Sequence, residues 1–297
     1  MVAPGILLVD KPGGLTSHDV VARTRKAFGT RKVGHAGTLD PMATGLLVLG
    51  IEGATRLLTY VVGADKTYLA TVRLGQATGT DDAEGEITRA ADAADVDAVT
   101  SEQIRTGIAA LTGDISQVPS AVSAIKVDGR RAYALVRAGE EVELKARAVT
   151  VSRFDLLDER RGGGVIDLDV VVDCSSGTYI RALARDLGDA LGIGGHLTAL
   201  RRTRIGPFDV TDAVDIDSLT GAKTLTPAVA ASAILQPLEV TEDDARDLRH
   251  GKRLGGQAAR LDGALAAAID PEGALVGIVA KRGSDIKSVM NMPEASR

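Results

Sequence analysis

Apolar positions along the chain follow two different periods. Tyr68, Ala70, Val72 and Leu74 alternate with Thr67, Leu69, Thr71 and Arg73, the two-residue period of a half-buried strand, and Gly75 closes it. Ile166, Leu168, Val170, Val172 and Cys174 alternate with Asp167, Asp169, Val171 and Asp173, the clearest strand in the chain. The apolar runs 6–9 and 46–49, each bounded by turn residues, read as short buried strands. Val20, Val21, Thr24, Ala27 and Phe28 follow a helical period instead. Thr16-Ser17-His18-Asp19 has the form of a capping box ahead of them, and Gly29 stops the helix. Thr100-Ser101-Glu102-Gln103 opens another helix, with Ile104, Ile108 and Leu111 on one face and Gly113 at its end. Ile180, Leu183, Ala184, Leu187 and Leu191 mark a third, ending at Gly192. Near the C-terminus, 263–269 and 274–281 flank Asp270-Pro271-Glu272-Gly273 and predict a β-hairpin.

Between these elements, 76–99 is acidic and rich in small residues and reads as loop plus connector. Residues 116–148 are basic with short apolar pieces, the pattern of an insertion over the surface, and 209–236 reads as a boundary region. From Asn291 onward the chain is expected to fray. Strands and helices mix without a regular βαβ beat, so the fold class is α+β. A length of 297 residues fits two domains. The second is a small β-rich block of about 60 residues at the C-terminus.

Composition changes this picture in one respect. The chain has four Tyr, three Phe and no Trp, so the core must rest on aliphatic side chains. A Tyr in a polar, glycine-flanked segment therefore draws attention. The single Cys174 forbids an intrachain disulfide, and four scattered His give no zinc spacing, so no metal is expected and a reducing cytoplasm fits. No signal peptide or membrane helix is expected either. The net charge of −5 argues against nucleic acid only as a total. Residues 1–80 carry 9 basic and 5 acidic residues, and 116–161 carry 9 and 7; the acid sits in 81–115 and 207–250. A polyanion can still meet a locally basic surface.

Two segments carry candidate chemistry. In 32–45, three glycines and Pro41 surround His35 and Asp40. Pro41 pushes Asp40 toward extended geometry, so its carboxylate is either presented from a constrained loop or caps its own backbone in an Asx turn. In 174–188, a strand passes through a small-residue turn into a helix. Arg181 falls in the first turn, where the helix dipole disfavours a cation; it is either a surface residue or has a partner carboxylate. Tyr179 is either a pocket residue or a core plug. Thr80–Gly85 fails as a calcium loop, since Thr80 and Ala91 occupy its first and twelfth positions. Gly162-Gly163-Gly164 lacks the GK[ST] of a phosphate loop and reads as a hairpin turn.

Several blocks in order resemble the TruB family of tRNA pseudouridine synthases. They are Asp10-Lys11-Pro12 with Thr16-Ser17, the loop Gly34–Gly45, Lys66-Thr67-Tyr68, Leu74-Gly75, Thr78 with Thr80-Asp81 and Gly85, Cys174–Gly188, and Leu200-Arg201-Arg202. They span about residues 5 to 210, and the G-H-x-G-x-L-D-P-x-A-T-G loop together with G-T-Y-I-R is highly specific. The resemblance implies a pseudouridine synthase core, 1–237, with a mixed, largely antiparallel sheet and an RNA-gripping insertion at 116–147. A PUA-like RNA-binding domain, 238–297, would follow.

It also implies the reaction: uridine 55 in the tRNA T loop is flipped out and isomerised to pseudouridine. Asp40 would be the catalytic nucleophile, kept ionised by Arg181. Tyr68 would stack on the uracil and serve in removing the C5 proton; Tyr179 and Leu200 would line the pocket. His35 would fill the gap left by the flipped nucleotide or hold the loop structurally, and Lys11 would shape the pocket wall. Lys126, Arg130 and Arg131 would meet phosphates. Where many relatives carry Tyr in P-S-x-Y-S-A-x-K, this chain has Val122. The expected partner is the T arm of tRNA, bound by a cytoplasmic monomer that needs no cofactor or protein partner. A tRNA-folding chaperone on the same surface is the rival from another class, and a base-flipping glycosylase is a third.

Overall fold

The computed structural model describes residues 2–120, 126–127, 130–131 and 144–293, with only the backbone at 126–127 and 130–131. Its contacts divide the chain into two compact units. One comprises Met1–Pro41, Gly45–Gly63 and Gly206–Arg297, the other Met42–Thr44 and Ala64–Ile205.

The first unit begins with β1 (Gly5–Lys11), β2 (Val33–Ala36) and β3 (Thr44–Ile51). Both β1 and β2 pair antiparallel with β3, Leu7 and His35 each lying opposite Leu49. Helix α1 (Ser17–Phe28) starts on the expected capping box. The Thr16 hydroxyl accepts from the Asp19 amide, the Asp19 carboxylate accepts from the Thr16 amide, and Gly29 ends the helix in a left-handed conformation. Its Val20 and Val21 pack with Leu7, Val9, Leu47, Leu49 and Ile51 into an aliphatic core. A short α2 (Leu58–Val62) follows.

The second unit is built on an antiparallel sheet. Its elements are β4 (Lys66–Leu74), β5 (Gln76–Thr78), β6 (Ile87–Ala90), α3 (Ala93–Ala98), α4 (Ser101–Ala110), β7 (Gly113–Gln117), β8 (Lys126–Val127), β9 (Arg130–Arg131), β10 (Arg147–Gly162), β11 (Val165–Cys174), α5 (Ile180–Ala190) and β12 (Gly195–Ile205). The sheet order is β12-β4-β11-β10-β7. Alternation on β4 and β11 is as predicted, with Tyr68, Ala70, Val72 and Leu74 turned inward. Helix α5 packs on β12 and β4. A Cβ on Gly188 would stand 2.2 Å from the Gly194 carbonyl carbon, so only glycine lets the helix end approach the following turn.

Two expectations differ from the structure, and one strand went unpredicted. Residues 76–99 hold the β5–β6 hairpin and α3 rather than loop and connector; the hairpin's exposed residues alternate without an apolar face. Strand β10, at 16 residues, is hidden from periodicity because its outer half is charged on both faces. Helix α4 stops at Ala110, and Gly113 opens β7 instead of ending the helix.

The chain re-enters the first unit with β13 (Phe208–Asp209), β14 (Val214–Asp215) and α6 (Pro227–Ile234). β14 pairs parallel with β1. Then come β15 (Gln236–Glu239), α7 (Glu242–Arg249), β16 (Arg253–Leu254), β17 (Leu265–Ile269), β18 (Leu275–Arg282) and β19 (Asp285–Asn291). These strands form their own sheet, order β15-β17-β18-β19-β16, over a core of Leu238, Leu248, Ala266, Val276, Val279 and Ile286. The predicted hairpin is β17–β18. The expected fraying does not begin at Asn291, whose carbonyl accepts from Arg56 at 2.6 Å, while the Met292 amide donates to Val276. Residues 294–297 lie outside the described residues. The fold class is α+β with a β-rich C-terminal domain.

Candidate active site

In the first unit, the loop carrying Asp40 is fixed residue by residue. Gly37 and Gly45 adopt φ of 82° and 101°, a region closed to most side chains, and turn the chain out of β2 and into β3. Leu39 is buried, and its amide donates to the Ser17 hydroxyl at 2.9 Å. The Ser17 hydroxyl in turn donates to the Leu39 carbonyl at 3.2 Å. On the other side of Asp40, the Pro41 carbonyl accepts from the Gly14 amide at 2.8 Å and from Lys11 Nζ at 3.2 Å. Lys11 is 0% exposed, and its ammonium also donates to the carbonyls of Pro12 (2.9 Å) and Leu15 (2.7 Å). A buried ammonium demands such partners. The residues on either side of Asp40 are thus pinned to the start of α1 and the end of β1, while Asp40 itself is half-buried. His35, on β2, lies edge-on to His18 with ring centroids 5.5 Å apart.

In the second unit, Tyr68 is 7% exposed and stands opposite Arg202 in the β4–β12 ladder, while Leu200 stands opposite Ala70. Directly paired residues share a face, so Tyr68, Leu200 and Arg202 line the same inward face. Lys66 lies two residues before Tyr68 on that face. Burial, then the nearby Arg202 guanidinium, pushes its ammonium down to about 8. Across the ladder from Lys66, burial pushes the Cys174 thiol up to about 11.

Arg181 is 4% exposed at the start of α5. Its guanidinium donates to the Thr80 carbonyl at 2.9 Å and meets the Asp82 carboxylate at 3.4 Å. The carboxylate partner that its dipole-disfavoured position calls for is therefore present within this unit. Asp82 is itself 2% exposed and accepts from the Thr80 hydroxyl (2.5 Å) and the Glu84 amide (3.1 Å). The preceding Asp81 sits at φ 60° and meets Arg185 at 3.2 Å. Tyr179 is half-buried at the N-cap of α5, and both its backbone groups bond the side chain of buried Gln117.

Among the expected site residues, the structure thus gathers Tyr68 and Leu200 on one sheet face, and places Tyr179 and Arg181 at one helix start. It sets Lys11 against the loop of Asp40. Lys126 and Arg130 belong to the small β8–β9 ladder, but their side chains, together with Val122, lie outside the described residues, and of Arg131 only the backbone is described. Sequence reasoning missed Asp82 and Gln117. Asp82 lay inside a block already marked by its family pattern, and burial of a charged side chain is the signal that exposes it.

Among solved structures, the chain resembles that of an H/ACA RNP bound to a substrate RNA containing 2′-deoxyuridine. The TM-score is 0.69 at 23% identity, over 97% of this chain and 85% of that one. A Cbf5-Nop10-Gar1 complex gives 0.67 at 24% identity, over 98% and 84%. The fold is that of the pseudouridine synthases. Residues 25–180 match the model of the TruB family pseudouridylate synthase N-terminal domain. Residues 181–241 match the tRNA pseudouridylate synthase B C-terminal domain, and 236–293 the tRNA pseudouridine synthase II C-terminal model. A tRNA pseudouridine synthase B from Leifsonia xyli is 62% identical over 99% of this chain and 98% of its own length. One from an Arthrobacter strain is 56% identical over 96% and 95%. The chain belongs to the TruB family of pseudouridylate synthases.

Proposed function

We propose that this chain isomerises uridine 55 of the tRNA T loop to pseudouridine. The observation that carries the reading is full-length identity of 62% to a relative named for that class of reaction, with family models matched from residue 25 to 293. In the reaction the C1′–N1 bond breaks, the base turns over and C5 bonds to C1′. C5 loses a proton and N1 gains one, so the product is an isomer. Glycosidic chemistry of this kind asks for a carboxylate and a dry pocket around a flipped base, and for neither metal nor redox cofactor.

Asp40 supplies the carboxylate, and the pinning of Leu39 and Pro41 supports this role by fixing the loop that presents it. Arg181 supplies positive charge that favours an ionised carboxylate. Tyr68 stacks on the flipped uracil and takes part in removing the C5 proton. Stacking is worth roughly 1–3 kcal/mol per base, so Tyr68→Leu should weaken RNA binding more than Tyr68→Phe. Tyr179 and Leu200 line the pocket, His35 occupies the gap in the RNA, and Lys11 holds the pocket wall. Lys126 and Arg130 meet phosphates of the T arm. The catalytic domain, 1–237, is followed by a PUA-like RNA-binding domain at 238–297, and the enzyme works as a cytoplasmic monomer without a protein partner. Among the described residues no helix is long and apolar enough to cross a membrane.

The test uses tRNA transcripts tritiated at uracil C5, because isomerisation releases that tritium to water. Wild type is expected to release the label at one uridine per tRNA, and Asp40→Asn none. A wild type that releases none, or an Asp40→Asn variant that matches it, defeats the proposal.

A further inference from the structure

Gln117 is the last residue of β7 and is 2% exposed. Its amide faces the backbone of Tyr179. Oε1 accepts from the Tyr179 N–H at 2.8 Å, and Nε2 donates to the Tyr179 carbonyl at 3.1 Å. One side chain thereby pairs both backbone groups of one residue, as a neighbouring strand would. Tyr179 is the N-cap of α5, at φ −104° and ψ 107°, and its own side chain makes no capping bond. The residue after Gln117 is tied to the same helix, since the Val118 carbonyl accepts from Arg185 at 2.7 Å. Both residues lie at the start of the basic insertion read from the sequence at 116–147.

We propose that Gln117 is a positioning residue for the uridine pocket: its amide fixes the Tyr179 backbone, and so the place of the Tyr179 ring. The inference rests on the reading that Tyr179 lines that pocket. The site needs a donor and an acceptor from one planar group, which only an amide or a protonated carboxyl of this length supplies. An ionised glutamate would turn a carboxylate oxygen toward the Tyr179 carbonyl. Burial and that carbonyl together would raise its pKa, and protonation would restore both bonds.

The experiment measures kcat and KM for tritium release, with thermal melts of each variant. Gln117→Met should lower kcat by about 10-fold or more while KM for tRNA stays within about 3-fold. In a Tyr179→Ala background the same change should have no further effect, because the two residues act as one unit. Gln117→Glu should be impaired at pH 8 and recover relative to wild type at pH 6. If Gln117→Met does not fold, the Gln117→Glu profile decides alone. Unchanged kcat, an undiminished loss in the Tyr179→Ala background, or a flat Gln117→Glu profile overturns the inference. A wild type that releases no tritium overturns the reading beneath it as well, whereas an active wild type with unaffected variants overturns this inference only.

Discussion

Among the buried cations of the described residues, Lys11 in one unit and Arg181 in the other are held by different contacts. Lys11 gives its ammonium to three neutral carbonyls, two of them within four residues and the third on Pro41. Arg181 meets a carboxylate, Asp82, and a carbonyl, Thr80, contributed 101 residues earlier in the chain. The difference separates two tasks. Carbonyl dipoles hold a charge only when the backbone stays put, so Lys11 makes the loop around Asp40 stiff. An ion pair compensates charge with charge and orients a planar guanidinium, so Asp82 sets where Arg181 points. In the first case the cation serves the backbone; in the second, the surroundings serve the cation.

The largest effect should come from breaking the ion pair. Asp82→Ala leaves the Arg181 guanidinium in its buried place without this carboxylate, and removing one partner of a buried pair is expected to cost about 3–5 kcal/mol. Urea unfolding should show a lower midpoint at unchanged m. The double variant Asp82→Leu/Arg181→Met should regain most of that stability, since apolar replacement of a whole buried pair is often neutral. It should nevertheless release no tritium. A double variant as unstable as Asp82→Ala would mean that the turn at 80–84, rather than the charge pair, was what the single change had damaged.

Lys11→Met tests the other arrangement and should have a smaller effect. The side chain keeps its approximate length, but the carbonyls of Pro12, Leu15 and Pro41 lose a charged donor. The expected loss is about 2–3 kcal/mol. Because the ammonium pins the carbonyl next to Asp40, tritium release should fall in kcat and leave KM for tRNA nearly unchanged. Equal stability with normal kcat would show that Ser17 and Gly14 fix the loop without it.

How far each arrangement could be read in the sequence follows from the same distinction. Lys11 and the Asp40 loop are built from nearby segments with glycines and prolines, and the family motif marked them, whereas local geometry alone left Asp40 between a presented carboxylate and an Asx turn. The capping boxes at Thr16 and Thr100 were legible from local pattern, and both are present. So was the alternation on β4 and β11, because one face of each is buried. Asp82 and Gln117 were not legible. One sits in a run of acidic residues and the other in a short polar strand, and each is buried by a partner far along the chain. β12 was hidden because its Arg202 faces inward, reversing the rule that charge marks the outer face.

Lys66, 6% exposed, is another buried cation and offers the finest test. It donates to the Ala64 carbonyl at 2.6 Å, lies near the Arg202 guanidinium, and titrates at about 8 instead of 10.5. Between those values the unfolded chain binds a proton that the folded chain does not, so stability rises with pH across this window. Cys174, opposite it in the ladder, acts in the other direction. Its thiol moves from 9.0 to about 11, so between those values the folded chain keeps a proton that the unfolded chain has lost, and stability falls. The two trends oppose each other above pH 9. Urea unfolding from pH 7 to 11 should therefore show a steeper gain in Cys174→Ala than in wild type, while Lys66→Met should lose the gain above pH 8 and retain the fall above pH 9. A wild-type minus Lys66→Met difference that stays constant with pH would mean that the ammonium is as well solvated as an exposed lysine.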